Sequence, residues 1–306
     1  MMVRNDFAIV SAADGLEIQV VVMVPDSQIR GVVQFAHGMA EHKERYFDFM
    51  KYLAAAGFVA VIHDHRGHGT SVRSIEDLGF FNDDTGVAVV EDLHQVLGAV
   101  QELYSCKPYI LFGHSMGSLV ARCYAKKYDS HIDKLILCGP PASHPLVSVA
   151  LFLARQIKGI RGSRHRSNLL RRLVLGPYER AGEQDLPNSW ICRNQEAVEE
   201  YNKSELCGFN FTVNGYINLF SLLKESYSKR GWLLSNPNLP ILFLAGSQDP
   251  VIGGERGWQE TKDFMAQVGY TQIQDRLYEG LLHEILNEEN RSPIFSDILK
   301  WMMSST

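Results

Sequence analysis

Tyr109-Ile-Leu-Phe-Gly-His-Ser-Met-Gly-Ser-Leu-Val-Ala121 joins an apolar run to Gly113-His114-Ser115-Met116-Gly117 and then to a start of small residues. Four residues of buried-strand character lead into the first glycine, and Leu119, Cys123 and Tyr124 follow at helical spacing, so the stretch predicts a strand, a tight turn and a helix. In so tight a turn Ser115 stands at a strained tip, and glycine two positions to either side lets neighbouring backbone pass where a Cβ would clash. The turn therefore holds a serine hydroxyl out in the open. A bare Gly-x-Ser-x-Gly arises by chance in roughly one chain in ten of this length, so the weight rests on the strand before it and the helix after it.

Working outward, the same rhythm recurs. A strand at 31–36 runs into His37-Gly38-Met39-Ala40-Glu41-His42, and 46–56 has a helical apolar pattern. A strand at 57–62 ends in His63-Asp64-His65-Arg66-Gly67-His68-Gly69-Thr70-Ser71, and 87–103 places Val89, Leu93, Val96 and Val100 on one helical stripe. Strands at 109–112 and 134–138 flank the helix that follows Ser115. Strand-loop-helix repetition implies parallel strands with right-handed crossovers and chemistry at their C-terminal ends. At the N-terminus, β-rich runs at 6–13 and 16–24 around Asp14-Gly15 predict an antiparallel hairpin. After Gly139-Pro140-Pro141 the rhythm breaks. Helical patches at 146–158, 168–175, 197–203 and 216–226 have no convincing strand between them; the rhythm resumes with a strand at 239–245, a helix at 256–268, a strand at 272–278 and a closing helix at 293–303. The expected fold is α/β: a mostly parallel central sheet with helices on both faces, its core at 1–139 and 236–306, and a helical cap inserted at 140–235.

Composition narrows the class. A chain of 306 residues with net charge -5, 45% hydrophobic and 21% charged residues is an ordinary globular protein, neither a nucleic-acid binder nor a disordered chain. The five cysteines (Cys106, Cys123, Cys138, Cys192, Cys207) are odd in number and lack C-x-x-C spacing, which predicts neither a disulfide framework nor a zinc site and suits a reducing compartment. The N-terminus lacks a signal-like apolar region and the longest apolar run, 146–154, is too short for a bilayer, so a cytoplasmic protein is expected.

A serine hydroxyl is a poor nucleophile until a base takes its proton. His283, in the loop after the last predicted strand, stands where a side chain at the sheet edge reaches Ser115. Asp249, directly after the strand at 239–245, is placed to orient it; the alternative for Asp249 is a turn-former before proline. The chain order Ser115, Asp249, His283 fits a nucleophile elbow. A tetrahedral intermediate needs two backbone donors, and the N–H groups of Met116 and Met39 occupy the expected places, with Gly38 turning the backbone and His37 and Glu41 bracing it. The spacing His63-x-His65-x-x-His68 invites a metal reading, but Gly67 stands where paired-metal loops carry an aspartate and no Cys or Asp cluster completes a shell; no metal or other cofactor is expected. Between Arg155 and Arg172 lie Arg155, Lys158, Arg161, Arg164, Arg166, Arg171 and Arg172 with no carboxylate, which reads either as peripheral contact with a membrane surface or as a solvated cap face.

With the elbow, the His37–His42 loop, Asp64-His-Arg-Gly-His-Gly-Thr-Ser71, Gly246-Ser-Gln-Asp-Pro250 and His283-Glu284 all present, the chain resembles the monoacylglycerol lipase and lysophospholipase group of α/β-hydrolases, which is related to the S33 serine aminopeptidases. Leu206-Cys-Gly-Phe-Asn-Phe-Thr212 is similar to a cap segment of bacterial members. The resemblance implies a cap over an apolar acyl pocket, a covalent acyl-serine intermediate, and hydrolysis of a single-chain lipid ester such as a monoacylglycerol or lysophospholipid. Substrate contacts are expected from His37, His114, Phe209 and Phe211, with residues 146–153, Trp190, Tyr201 and Phe220 as further candidates for an acyl tunnel. Met39-Ala40 departs from the small residues of many animal members and bears on the acyl entrance. Two other readings stand beside this one. A small-ester esterase or a proline-releasing aminopeptidase would keep the same triad, the latter using cap carboxylates among Glu179, Glu183, Glu196, Glu199, Glu200 and Glu205 to hold an amine. A non-catalytic ligand-binding protein would retain the fold without the chemistry.

Overall fold

A computed structural model of the chain describes residues 2–105, 108–182 and 185–304; Cys106 and Glu183 lie outside them. The described strands form one eight-stranded sheet in the order β1-β2-β4-β3-β5-β6-β7-β8. They are β1 (Met2–Val10), β2 (Glu17–Pro25), β3 (Gly31–Ala36), β4 (Phe58–His63), β5 (Tyr109–His114), β6 (Lys134–Cys138), β7 (Ile241–Gly246) and β8 (Ile273–Tyr278). β1 and β2 pair antiparallel, β2 joins β4 antiparallel, and all later pairings are parallel. β3 to β7 are buried at every position. That is the condition for near-continuous apolar strands, because helices cover both faces of a parallel sheet.

On one face α1 (Phe47–Ala55) and α9 (Ser292–Met303) bring Phe49, Met50, Leu53, Phe295 and Ile298 onto Phe35, Phe112 and Ile136 of the sheet. On the other, α2 (Val87–Leu103), α3 (Met116–Tyr128) and α8 (Gly254–Val268) bring Leu93, Val96, Leu119, Val120, Trp258 and Met265 onto Val32, Leu111 and Leu135. Between β6 and β7 come α4 (Val147–Arg161), α5 (Asn168–Glu179), α6 (Gln195–Lys203) and α7 (Val213–Ser226). α7 is the keel of this cap. It lies between α4 and α3, and its polar residues dock onto the core: Asn214 Oδ1 accepts from Phe81 N–H at 2.8 Å and Asn218 Oδ1 from Gly86 N–H at 2.9 Å. Among the described residues no helix is long and apolar enough to cross a membrane.

The hairpin differs from expectation. Its ladder runs from Met2↔Pro25 to Val10↔Glu17, so residues 11–13 belong to the connection and not to the strand. The cause is Arg66, fully buried, whose guanidinium bonds Asp92 at 2.7 Å, Ser11 Oγ at 2.9 Å and Asp14 at 3.3 Å. Ser11 and Asp14 serve that buried cation, which the local strand pattern does not reveal.

Candidate active site

Ser115 separates β5 from α3 at φ 52, ψ -120. A residue with a Cβ avoids positive φ unless its surroundings hold it there. Here the Ser115 N–H donates to Cys138 C=O at 2.9 Å, and its carbonyl accepts from Ser118 N–H at 2.9 Å and Ser118 Oγ at 2.6 Å. The flanking glycines are steric necessities: a Cβ on Gly113 would lie 2.5 Å from Gly117 O, and one on Gly117 1.9 Å from Ala36 O. The serine is thus presented between the ends of β3, β5 and β6.

His283 and Asp249 meet at the neighbouring strand ends, the His283 ring 4.7 Å from that of His114, the residue before Ser115. His283 Nδ1 is 2.8 Å from Asp249 Oδ2, and the other aspartate oxygen accepts from Val251 N–H at 2.8 Å. With Nδ1 bound to the carboxylate, Nε2 is the nitrogen left to receive a proton. The His283 loop is fastened on both sides: Leu282 N–H donates to Glu288 at 3.2 Å, and Glu284 N–H to Ile191 C=O of the cap at 2.7 Å. Gly139, at φ 52, keeps the histidine's place, since a Cβ there would stand 2.9 Å from the His283 ring.

The loop after β3 passes directly over the serine; a Cβ on Gly38 would lie 3.3 Å from Ser115 Cβ. Among the described residues the N–H groups of Met39 and Met116 make no hydrogen bond. Gly38 N–H donates to Glu41 Oε1 at 2.5 Å, and the same carboxylate accepts from Tyr46 OH at 2.8 Å and Arg45 Nε at 3.1 Å. Arg45 also pairs with Glu284, next to His283. His114 completes the network. Its Nδ1 is 2.8 Å from Tyr46 OH and 3.4 Å from Glu41, while its Nε2 is 3.3 Å from His283 O. Burial pulls the His114 pKa down, but hydrogen bonding to Glu41 and the charges of Glu41 and Glu284 outweigh it and raise the pKa. Burial likewise pushes Glu41 up, yet His114, Arg45 and Tyr46 bring it down to about 2. A doubly protonated His114 fits the geometry, donating from Nδ1 to Tyr46 or Glu41 and from Nε2 to the His283 carbonyl.

His37, His63, His65 and His68 form a separate buried nest under the same loop. His37 Nδ1–H donates to Gly38 O at 2.8 Å and its Nε2 accepts from His65 N–H at 2.9 Å; His68 Nε2 accepts from Ala40 N–H at 3.2 Å. Burial holds His63 at about 3 and His68 at about 4 and drives His37 and His65 well below the ordinary value. Asp64 turns away from them to Lys43 Nζ at 2.5 Å and Thr70 N–H at 2.8 Å. Among the described residues no group of three His, Cys, Asp or Glu is placed to hold a metal.

The cap closes over this edge. Trp190 lies 5.5 Å, ring to ring, from His283 and 5.3 Å from Tyr178. Phe209 and Phe211 stand 5.4 and 5.3 Å from His68; Phe209 is half-buried, whereas Phe211 is enclosed with Phe81 and Tyr216. Four of the seven basic residues at 155–172 have partners: Lys158 pairs with Asp84, Arg164 with Asp77 and Arg171 with Glu179, while Arg166 bonds the carbonyls of Glu76, Leu78 and Asn210. Glu196, Glu199, Glu200 and Glu205 are exposed, and Glu199 pairs with Lys203. Sequence reasoning missed Arg45, Tyr46 and Gly139, and gave no role to Glu284, which it quoted only as part of a motif. Glu284 was adjacent to the chosen histidine, and an acidic residue there was the one local signal.

The sequence profile of the serine aminopeptidase S33 family matches residues 27–290. The chain is 28% identical over 302 residues to the monoacylglycerol lipase of Mycolicibacterium smegmatis, covering 95% of this chain and 94% of that one. It is 26% identical over 290 residues to human monoglyceride lipase, covering 92% of this chain and 85% of the relative. Its fold superposes with a TM-score of 0.90 on the crystal structure of a thermostable carboxyl esterase from Bacillus coagulans, at 26% identity and with 99% and 98% of the two chains covered. The chain belongs to the serine aminopeptidase S33 family and is an α/β-hydrolase of the esterase and lipase type.

Proposed function

We propose that this hydrolase cleaves single-chain lipid esters, a monoacylglycerol or a lysophospholipid, through an acyl-enzyme on Ser115. The observation that carries the reading is His283 bonded to Asp249 at 2.8 Å, its ring 4.7 Å from that of His114, which precedes a serine kept at positive φ. Ser115 Oγ attacks the ester carbonyl carbon as its proton passes to His283 Nε2, and the N–H groups of Met39 and Met116 take up the oxyanion. The intermediate collapses, the departing alkoxide takes the proton back from His283, and water then releases the fatty acid by the same steps in reverse roles. Asp249 keeps Nδ1–H oriented and steadies the imidazolium. His37 and His114 support the site from behind; Phe209 faces the chain of the substrate and Phe211 backs it.

Substrate class is supported by the relatives' names and by an apolar cap. The aminopeptidase alternative needs carboxylates turned toward the serine; Glu196, Glu199, Glu200 and Glu205 are exposed, Glu179 pairs with Arg171, and Glu183 lies outside the described residues. A peripheral membrane contact would fall on the start of α4, where Leu146 just before it and Val149 and Phe152 within it are exposed beside the exposed Arg155 and Arg161; Lys158, Arg164 and Arg166 are occupied holding the cap to the core. The test is a series of p-nitrophenyl esters with monoacylglycerols, lysophospholipids and proline amides. Each buried CH₂ contributes roughly 0.8 kcal/mol, about fourfold, so kcat/KM climbs from acetyl through octanoyl. A preference for acetyl esters would defeat the lipid reading and leave the serine mechanism standing, and turnover of proline amides above esters would restore the aminopeptidase.

A further inference from the structure

The loop that carries Met39 bends at the next residue. Ala40 sits at φ 51, a left-handed conformation that a Cβ disfavours by roughly tenfold in population. Three hydrogen bonds hold it. One comes from the core, Ala40 N–H donating to His68 Nε2 at 3.2 Å; the other two come from the cap, Gly208 N–H and Tyr201 OH donating to Ala40 C=O at 2.9 and 3.1 Å. Tyr201, on α6, is buried, and its ring lies 4.9 Å beneath the Arg45 guanidinium. Arg45 in turn bonds Glu41, which holds Gly38 N–H. The residue before Met39 is therefore fastened by the core and the residue after it chiefly by the cap.

We propose that Tyr201 is a positioning residue for the oxyanion hole: its hydroxyl, reaching down from the cap, keeps Ala40 in the left-handed turn and so holds Met39 N–H over Ser115. The inference rests on the assignment of Met39 as an oxyanion donor. It gives the cap a part in the chemistry of every ester, including those too small to touch an acyl tunnel, and it gives Tyr201 a role distinct from lining that tunnel.

The test is a double-mutant cycle on p-nitrophenyl acetate with wild type, Tyr201→Phe, Ala40→Gly and the double variant, and Ser115→Ala as reference. Tyr201→Phe keeps the ring and its Arg45 contact and removes one neutral hydrogen bond, so kcat falls about fivefold with KM changed less than about twofold. Glycine adopts the left-handed turn without penalty. In the Ala40→Gly background the same substitution therefore costs less than about twofold. An unchanged kcat in Tyr201→Phe, or an equal loss in both backgrounds, overturns the coupling while an inactive Ser115→Ala keeps the site assignment intact. Turnover retained in Ser115→Ala overturns the site and this inference together.

Discussion

Two groups of buried histidines sit at the same edge of the sheet in opposite surroundings. His114 and His283, ring centroids 4.7 Å apart, each touch a carboxylate: Glu41 for one, Asp249 for the other. His37, His63, His65 and His68 are as deeply buried, with His37 and His65 4.3 Å apart, yet where their ring nitrogens are bonded the partners are backbone groups. Desolvation alone drives an imidazole to its neutral form, while an adjacent carboxylate reverses the direction. The nest acts as neutral acceptors, His37 and His68 taking backbone N–H groups that a protonated ring would repel. His114, beside Glu41, goes the other way, its pKa raised despite burial. Spacing in sequence, conspicuous in His63-x-His65-x-x-His68, says less about chemistry than the presence of an acid.

The largest effects separate the groups by activity. Ser115→Ala and His283→Ala should each lower kcat/KM by roughly 10⁴-fold or more, because triad members act as a unit. Asp249→Asn should lose roughly 10⁴-fold by favouring the wrong tautomer. Steady-state assays on a soluble ester check this, and an Asp249→Asn enzyme within tenfold of wild type would erase the distinction drawn here.

A smaller effect concerns the second carboxylate. Glu41→Gln retains shape but removes the charge opposite His114, and should cost about 2 kcal/mol of stability at mildly acid pH, as a charged buried hydrogen bond does. Glu41 is depressed from 4.5 to about 2, so its contribution is present above 4.5 and lost as pH falls through 2. His114 is raised above 6.5, so its contribution is present below 6.5 and lost as pH rises through its folded value. The advantage of wild type in denaturant midpoint should therefore peak between pH 4.5 and 6.5 and narrow on both sides. A difference independent of pH would remove charge from the explanation.

The smallest belongs to the nest. Both ring nitrogens of His63 are buried without a hydrogen-bond partner, so His63→Leu should leave turnover within about twofold and stability at neutral pH equal or higher. Because His63 is depressed from 6.5 to about 3, its contribution is intact above 6.5 and lost as pH falls toward 3. Acid unfolding of His63→Leu should be correspondingly shallower over that range, measurable by circular dichroism; an activity loss like that of His283→Ala would merge the two groups.

The parallel sheet and the elbow were legible because they follow from local pattern: β3, α2 and β6 fall at 31–36, 87–103 and 134–138 as the periodicity predicts. Ser115, Asp249 and His283 were legible as positions after particular strands. What was not legible depends on partners far along the chain. Arg45 and Glu284 meet across 239 residues, and nothing local to either announces the other. The basic stretch was only partly legible for the same reason, since its charges are visible in sequence while Asp77 and Asp84, which take up Arg164 and Lys158, lie in another segment. The early end of β1 was hidden likewise, its cause being Arg66.

The most direct test of the central claim is labelling with a fluorophosphonate followed by peptide mass spectrometry of wild type, His283→Ala and His37→Ala. An Asp249-held His283 activating Ser115 predicts a single adduct on Ser115, near-complete loss of labelling in His283→Ala, and labelling of the same serine in His37→Ala. An adduct on another residue, or undiminished labelling of His283→Ala, would contradict it.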